Sequence, residues 1–106
     1  MSTDKVLYIR PELERPKYSL VAEHLWGNSI DIDSDGDSKT PNDKNWTELT
    51  LINRSSPSQR IDIDPVHKNP LILKIVGPES LVVKVANYLA MQCKCEVKCN
   101  LNEYET

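Results

Sequence analysis

Glycine is scarce, with three residues in a chain of 106. A backbone cradle for phosphate needs glycines where the chain bends closely around the anion, and neither a Walker loop nor a dinucleotide fingerprint is present. Cysteine is equally scarce, and Cys93, Cys95 and Cys99 crowd towards one end. An odd, clustered set is not a disulfide framework. Without a Cys-x-x-Cys pair, these thiols with His24 or His67 do not make a zinc knuckle, in which two sulfurs converge from a tight turn. Apolar runs are only a few residues long, far short of the ~20 that cross a bilayer. Met1-Ser2-Thr3-Asp4-Lys5 lacks the apolar stretch of a secretory signal. Gly-x-Ser-x-Gly and His-Glu-x-x-His are absent too. These absences predict a non-enzymatic protein of the reducing cytoplasm that holds no cofactor and no metal and does not enter a membrane.

Charge is present in quantity but unevenly placed. The formal net charge is −3. Residues 23–64 hold nine acids and four bases, whereas residues 65–100 hold five bases and two acids. An acidic middle repels phosphate, which disfavours nucleic acid as a partner, and it attracts a basic protein.

The patterning predicts a single α+β domain over 1–106: a mostly antiparallel sheet, with a C-terminal helix packed on one face and a final strand. Lys5–Arg10 reads as a strand stopped by Pro11. Residues 18–26 fit two periods. Leu20, Val21, His24 and Leu25 have helical spacing, with Ser19 as cap and Gly27 as stop. Tyr18, Leu20, Ala22, His24 and Trp26 alternate, and the segment is short for a helix, which favours a strand. Residues 27–45, with five aspartates, have no apolar face and read as a long acidic loop, opened by a short strand at Ile30 and Ile32. Trp46–Arg54 alternates, with Thr47, Leu49 and Leu51 opposite Trp46, Glu48, Thr50 and Ile52. Gln59–Asp64 alternates again, with Ile61 and Ile63 on one side, and Pro65 ends it. The two runs make an antiparallel hairpin. Leu71–Val76 is a central strand, and Leu81–Gln92 is helical after Pro78. Met91–Leu101 alternates strictly and reads as a strand with all three cysteines on its buried face.

Three groups of residues could carry function. Asp31-Ile32-Asp33-Ser34-Asp35-Gly36-Asp37 resembles the front half of an EF-hand calcium loop, but Asn42 stands where the bidentate Glu belongs. Calcium binding through these aspartates is therefore an alternative reading. Asp62 and Asp64, two apart on a strand, with His67 beyond them, offer a second alternative, a small enzyme site. The preferred site is the acidic loop itself, Asp31, Asp33, Asp35, Asp37 and Asp43. Trp26 and Trp46 flank it, and an aromatic beside an acidic patch has the composition of a hot spot for a basic partner.

Four stretches also resemble a known class: Arg54-Ser55-Ser56, Gln59-Arg60-Ile61-Asp62-Ile63-Asp64-Pro65, Pro70-Leu71-Ile72-Leu73 and Ala86-Asn87-Tyr88-Leu89-Ala90. They look like small immunity proteins of contact-dependent-inhibition and related polymorphic toxin systems. The resemblance covers less than half of the chain, from about Trp46 to Met91. It implies a non-enzymatic cytoplasmic protein that binds one cognate toxin domain and blocks its active site or substrate path. Many such toxins are nucleases with basic clefts, and a row of carboxylates could occupy such a cleft. The resemblance assigns no binding residue; those named above rest on charge alone.

Overall fold

The structure is a computed structural model and describes residues 4–27, 31–40 and 42–101. Its elements are β1 (Asp4–Ile9), α1 (Tyr18–Trp26), β2 (Ile32–Gly36), β3 (Leu49–Asn53), β4 (Arg60–Lys68), β5 (Leu71–Pro78), α2 (Glu79–Cys93) and β6 (Val97–Lys98). The six strands form one sheet in the order β2-β3-β4-β5-β1-β6. Every neighbouring pair is antiparallel. This is the expected α+β arrangement, with α2 lying across the sheet.

Alternation in the strands decides which face is covered. Leu7, Ile9, Leu49, Leu51, Ile61, Ile63, Leu73 and Ile75 point to one side and are buried beneath Val21 and Leu25 of α1 and Val82, Val85 and Leu89 of α2. Each such side chain contributes about 1.5–3 kcal/mol when fully removed from water, so a one-residue slip in any strand would forfeit the core. Both helices use the same face. The opposite face has no element over it among the described residues.

Residues 18–26 form a helix, not the strand favoured by alternation. Val21, Ala22 and Leu25 are buried, while Leu20, apolar on either reading, is 42% exposed. A nine-residue helix is marginal alone; docking against α2 and the sheet stabilises it, an effect no local pattern reports. Ser19 is not the cap, because Lys17 occupies that position without a side-chain bond. Gly27 does stop the helix, at φ 88°, with its N–H donating to Glu23 O at 2.8 Å.

Other boundaries also differ from expectation, and β3 begins at Leu49 and not at Trp46. β4 runs through Pro65 to Lys68, because an irregularity between Pro65 and His67 lets the strand continue without the missing N–H. The acidic segment is partly a strand: β2 pairs with β3 from Ile32 to Gly36, while Ile30 lies outside the described residues. Gly36 is required there, since it has φ 146° and a Cβ would lie 2.2 Å from Glu48 O. The final strand is only Val97–Lys98. α2 continues to Cys93, and Lys94 closes it in the left-handed conformation at φ 52°. The cysteines therefore do not share a buried strand face: Cys93 is buried, Cys95 half-buried and Cys99 exposed.

Candidate functional site

The register lays out the uncovered face row by row. One row runs Asp35, Thr50, Asp62, Val76, Val6; a second runs Asp33, Ile52, Arg60; a third runs Asp64, Lys74, Tyr8, Lys98. Carboxylates thus stand on β2 and β4, with Asp4 at the start of β1, and lysines stand on β5 and β6. Val6, Tyr8, Ile52 and Val76 are half-buried between the two ends.

Within the acidic half, five carboxylates stand with two arginines. Arg54 Nε donates to Asp33 Oδ1 at 2.8 Å, and its Nη1 reaches Asp31 Oδ2 at 3.5 Å. Arg60 Nε donates to Asp62 Oδ2 at 3.1 Å, and Thr50 Oγ1 donates to Asp62 Oδ1 at 2.8 Å. Asp35 Oδ1 accepts from the neighbouring Gly36 N–H at 2.8 Å. Asp64 faces Lys74 across the ladder without an ion pair among the described residues. The half remains acidic, because the arginines balance fewer charges than the aspartates supply.

The structure divides the sequence-predicted residues into two groups. Asp33 and Asp35 lie along the outer strand and Asp31 just before it, all exposed. Asp37 and Asp43 are instead fixed by the backbone. Asp37 Oδ1 accepts from Thr47 N–H at 2.7 Å and Glu48 N–H at 2.9 Å, and Oδ2 accepts from Thr47 Oγ1 at 2.6 Å. Burial pushes the Asp37 carboxyl up, but these bonds outweigh it and hold its pKa below the ordinary value of 3.8. Asp43 accepts from Asn45 N–H at 2.7 Å and Lys39 N–H at 3.1 Å, which lower its pKa in turn.

The tryptophans fall inward. Trp46 is 0% exposed, and its indole Nε1 donates to Pro16 O at 2.8 Å. It lies before β3 and turns to the covered side, so its side chain is core and not an outer contact. Trp26 packs partly buried against the same core, and its Nε1 is buried without a partner.

Neither alternative site is assembled. EF-hand ligands converge on one ion, whereas Asp33 and Asp35 sit on an extended strand, where side chains two apart are ~6.5 Å from each other, and Asp37 is engaged elsewhere. Among the described residues no three His, Cys, Asp or Glu side chains are grouped to hold a metal ion. Asp62 is engaged by Thr50 and Arg60. His67 pairs with Ile72 at the far end of β4, roughly 15 Å along the strand, with its Nδ1 2.8 Å from Pro70 O.

Two members of the uncovered face, Thr50 and Lys74, were not singled out from sequence. The alternation through Thr50 and Asp62 carried the signal for one, whereas the Asp64–Lys74 juxtaposition depends on strand order. No helix among the described residues is long and apolar enough to cross a membrane. Comparison with protein-family models, with curated proteins and with solved structures finds no match.

Proposed function

We propose that this chain is a non-enzymatic cytoplasmic binding protein whose acidic half-sheet covers a basic surface of a protein partner. In line with the immunity-protein resemblance, the partner is a toxin domain, foremost a nuclease, and the chain neutralises it. The observation that carries the reading is the grouping of Asp33, Asp35, Asp62 and Asp64 on the β2–β4 half of a sheet face that no helix covers among the described residues. A nuclease cleft is basic because it holds phosphates. Carboxylates presented at strand spacing offer comparable acceptors, and the field speeds encounter.

The reading predicts a toxin gene beside the one for this chain, and the test uses the nuclease domain that such a gene encodes; the absence of any toxin gene there would overturn the reading. Increasing amounts of the purified protein are added to a cleavage assay. Stoichiometric loss of cleavage is expected. The triple variant Asp33→Asn, Asp35→Asn, Asp64→Asn should inhibit more weakly, with a slower on-rate and a flatter salt dependence. Full cleavage at an excess of wild-type protein, or a triple variant with unchanged kinetics at low salt, would overturn the reading.

A further inference from the structure

The sheet ends at β2, and its outer edge follows from the ladder to β3. Arg54 N–H donates to Asp31 O at 3.1 Å, and Asp37 N–H donates to Glu48 O at 3.3 Å. In an antiparallel pair, hydrogen-bonded positions alternate, so residues 31, 33, 35 and 37 turn their backbone groups towards β3. Ile32, Ser34 and Gly36 turn theirs outward. The Gly36 N–H is already taken by Asp35 Oδ1. Among the described residues, no strand lies beyond Ile32 and Ser34 to meet theirs.

Beside this edge, on the helix side, lies an open cleft whose lining includes Tyr18, Ser34, Asp35, Ser38, Lys39 and Leu49. The Ser38 hydroxyl is buried there without a hydrogen-bond partner, a cost that a ligand group entering the cleft would relieve. On the other side of the same strand stand Asp33 and Asp35. An added strand would therefore meet carboxylates through one set of alternate residues and the cleft through the other. A second copy of this chain is disfavoured as the occupant, since pairing β2 with β2 would bring four aspartates together.

We infer that the outer edge of β2 takes an extended basic segment of the partner as a seventh strand, its Lys or Arg residues at alternate positions facing Asp33 and Asp35, and its intervening small side chains entering the cleft beside Ser38. Backbone pairing gives affinity and the alternate side chains give selectivity. This rests on the acidic-surface reading above and specifies how that surface recognises its partner.

The test uses a defined probe: a synthetic peptide with lysine at every second position and threonine or valine between. A second peptide of the same sequence is N-methylated at the residues between the lysines, which keeps its charge and removes its donors. Amide hydrogen exchange is followed at Ile32 and Ser34. At millimolar peptide both amides should slow at least about tenfold, and the N-methylated peptide should not slow them. Ser34→Pro removes an outward N–H while leaving the β2–β3 bonds intact. It should abolish peptide binding and weaken toxin inhibition with no change of charge. If that variant misfolds, the two peptides on the unaltered protein still decide. Unslowed Ile32 and Ser34 amides at millimolar peptide overturn the added strand. If Asp33→Asn with Asp35→Asn still weakens toxin inhibition in that case, the acidic surface stands and only the strand addition fails. If those variants too inhibit as wild type does, the acidic reading fails with it.

Discussion

Arg15 and Trp46 are joined across thirty-one positions of sequence: Arg15 Nε donates to Trp46 O at 2.9 Å. The indole returns a bond to the adjacent Pro16 O at 2.8 Å, and Lys44 O accepts from Arg15 N–H at 2.9 Å. Two irregular segments, one after β1 and one before β3, are thereby tied together over the core. Arg15 is 9% exposed, and its guanidinium keeps carbonyl partners at Trp46 and Leu13, as a largely buried cation must.

Trp46→Phe keeps most of the apolar volume and removes the bond to Pro16 O. It should cost about 1–2 kcal/mol, and Trp46→Ala about 3–5 kcal/mol, by urea unfolding. Near-wild-type stability of Trp46→Ala would mean that the indole does not fill the core.

Much of this architecture was legible in the sequence, and the gaps have physical causes. Leu49, Leu51, Ile61 and Ile63 alternate with polar residues, and all four are buried on one face, so the β3–β4 hairpin follows from local pattern. α1 does not: Tyr18–Trp26 carries apolar residues at both periods, and the choice between them is made by α2, distant in sequence. The alternation from Met91 to Leu101 misleads in the opposite way. Met91 is 68% exposed on the outer side of α2, and its register with the cysteines is coincidence. Of the candidate site, the acidic character was readable from composition. That Asp33 and Asp35 lie on an edge strand, while Asp37 caps backbone groups, depends on pairing with β3 and could not be read locally.

Asp62 and Ile63 are neighbours with opposite fates. Ile63 is 1% exposed, so Ile63→Asp would place an unpaired charge in the core and should unfold the protein. Asp62 stands on the uncovered face, bonded to Thr50 and Arg60. Asp62→Asn should cost only about 0.5–1 kcal/mol, since such partly exposed pairs contribute little. Thermal melts of the two variants would check this, and equal tolerance would contradict the assigned faces.

The cysteines should be distinguished by alkylation. Burial pushes the Cys93 thiol up to about 11, and its Sγ donates to Glu14 O at 3.5 Å. At neutral pH iodoacetamide should modify the exposed Cys99 first and reach Cys93 only on unfolding. Cys93→Ala should cost about 1 kcal/mol or more through lost packing. A strong zinc chelator should leave the melting temperature unchanged, and unfolding by chelator would restore the metal reading.

Asp37 should separate from its neighbours when pH falls. Its carboxylate accepts three bonds from Thr47 and Glu48, and its folded pKa lies below 3.8. A depressed acid stabilises the fold above its unfolded pKa, and that contribution is lost as pH falls through the folded value. The loss should therefore begin near 3.8 and deepen below it. Asp37→Asn cannot accept the same bonds with both terminal atoms, because one becomes an NH2 donor facing donors. It should be less stable than wild type at neutral pH, and the difference should shrink as pH falls through the folded pKa of the wild-type carboxyl, where that group is protonated too. Asp35→Asn carries no such network and should leave neutral-pH stability nearly unaltered while removing a charge from the outer strand. Urea midpoints of the two variants across this pH range would check the distinction. If Asp37→Asn were as stable as Asp35→Asn at every pH, Asp37 would belong to the surface field and not to the scaffold that holds β2 against β3.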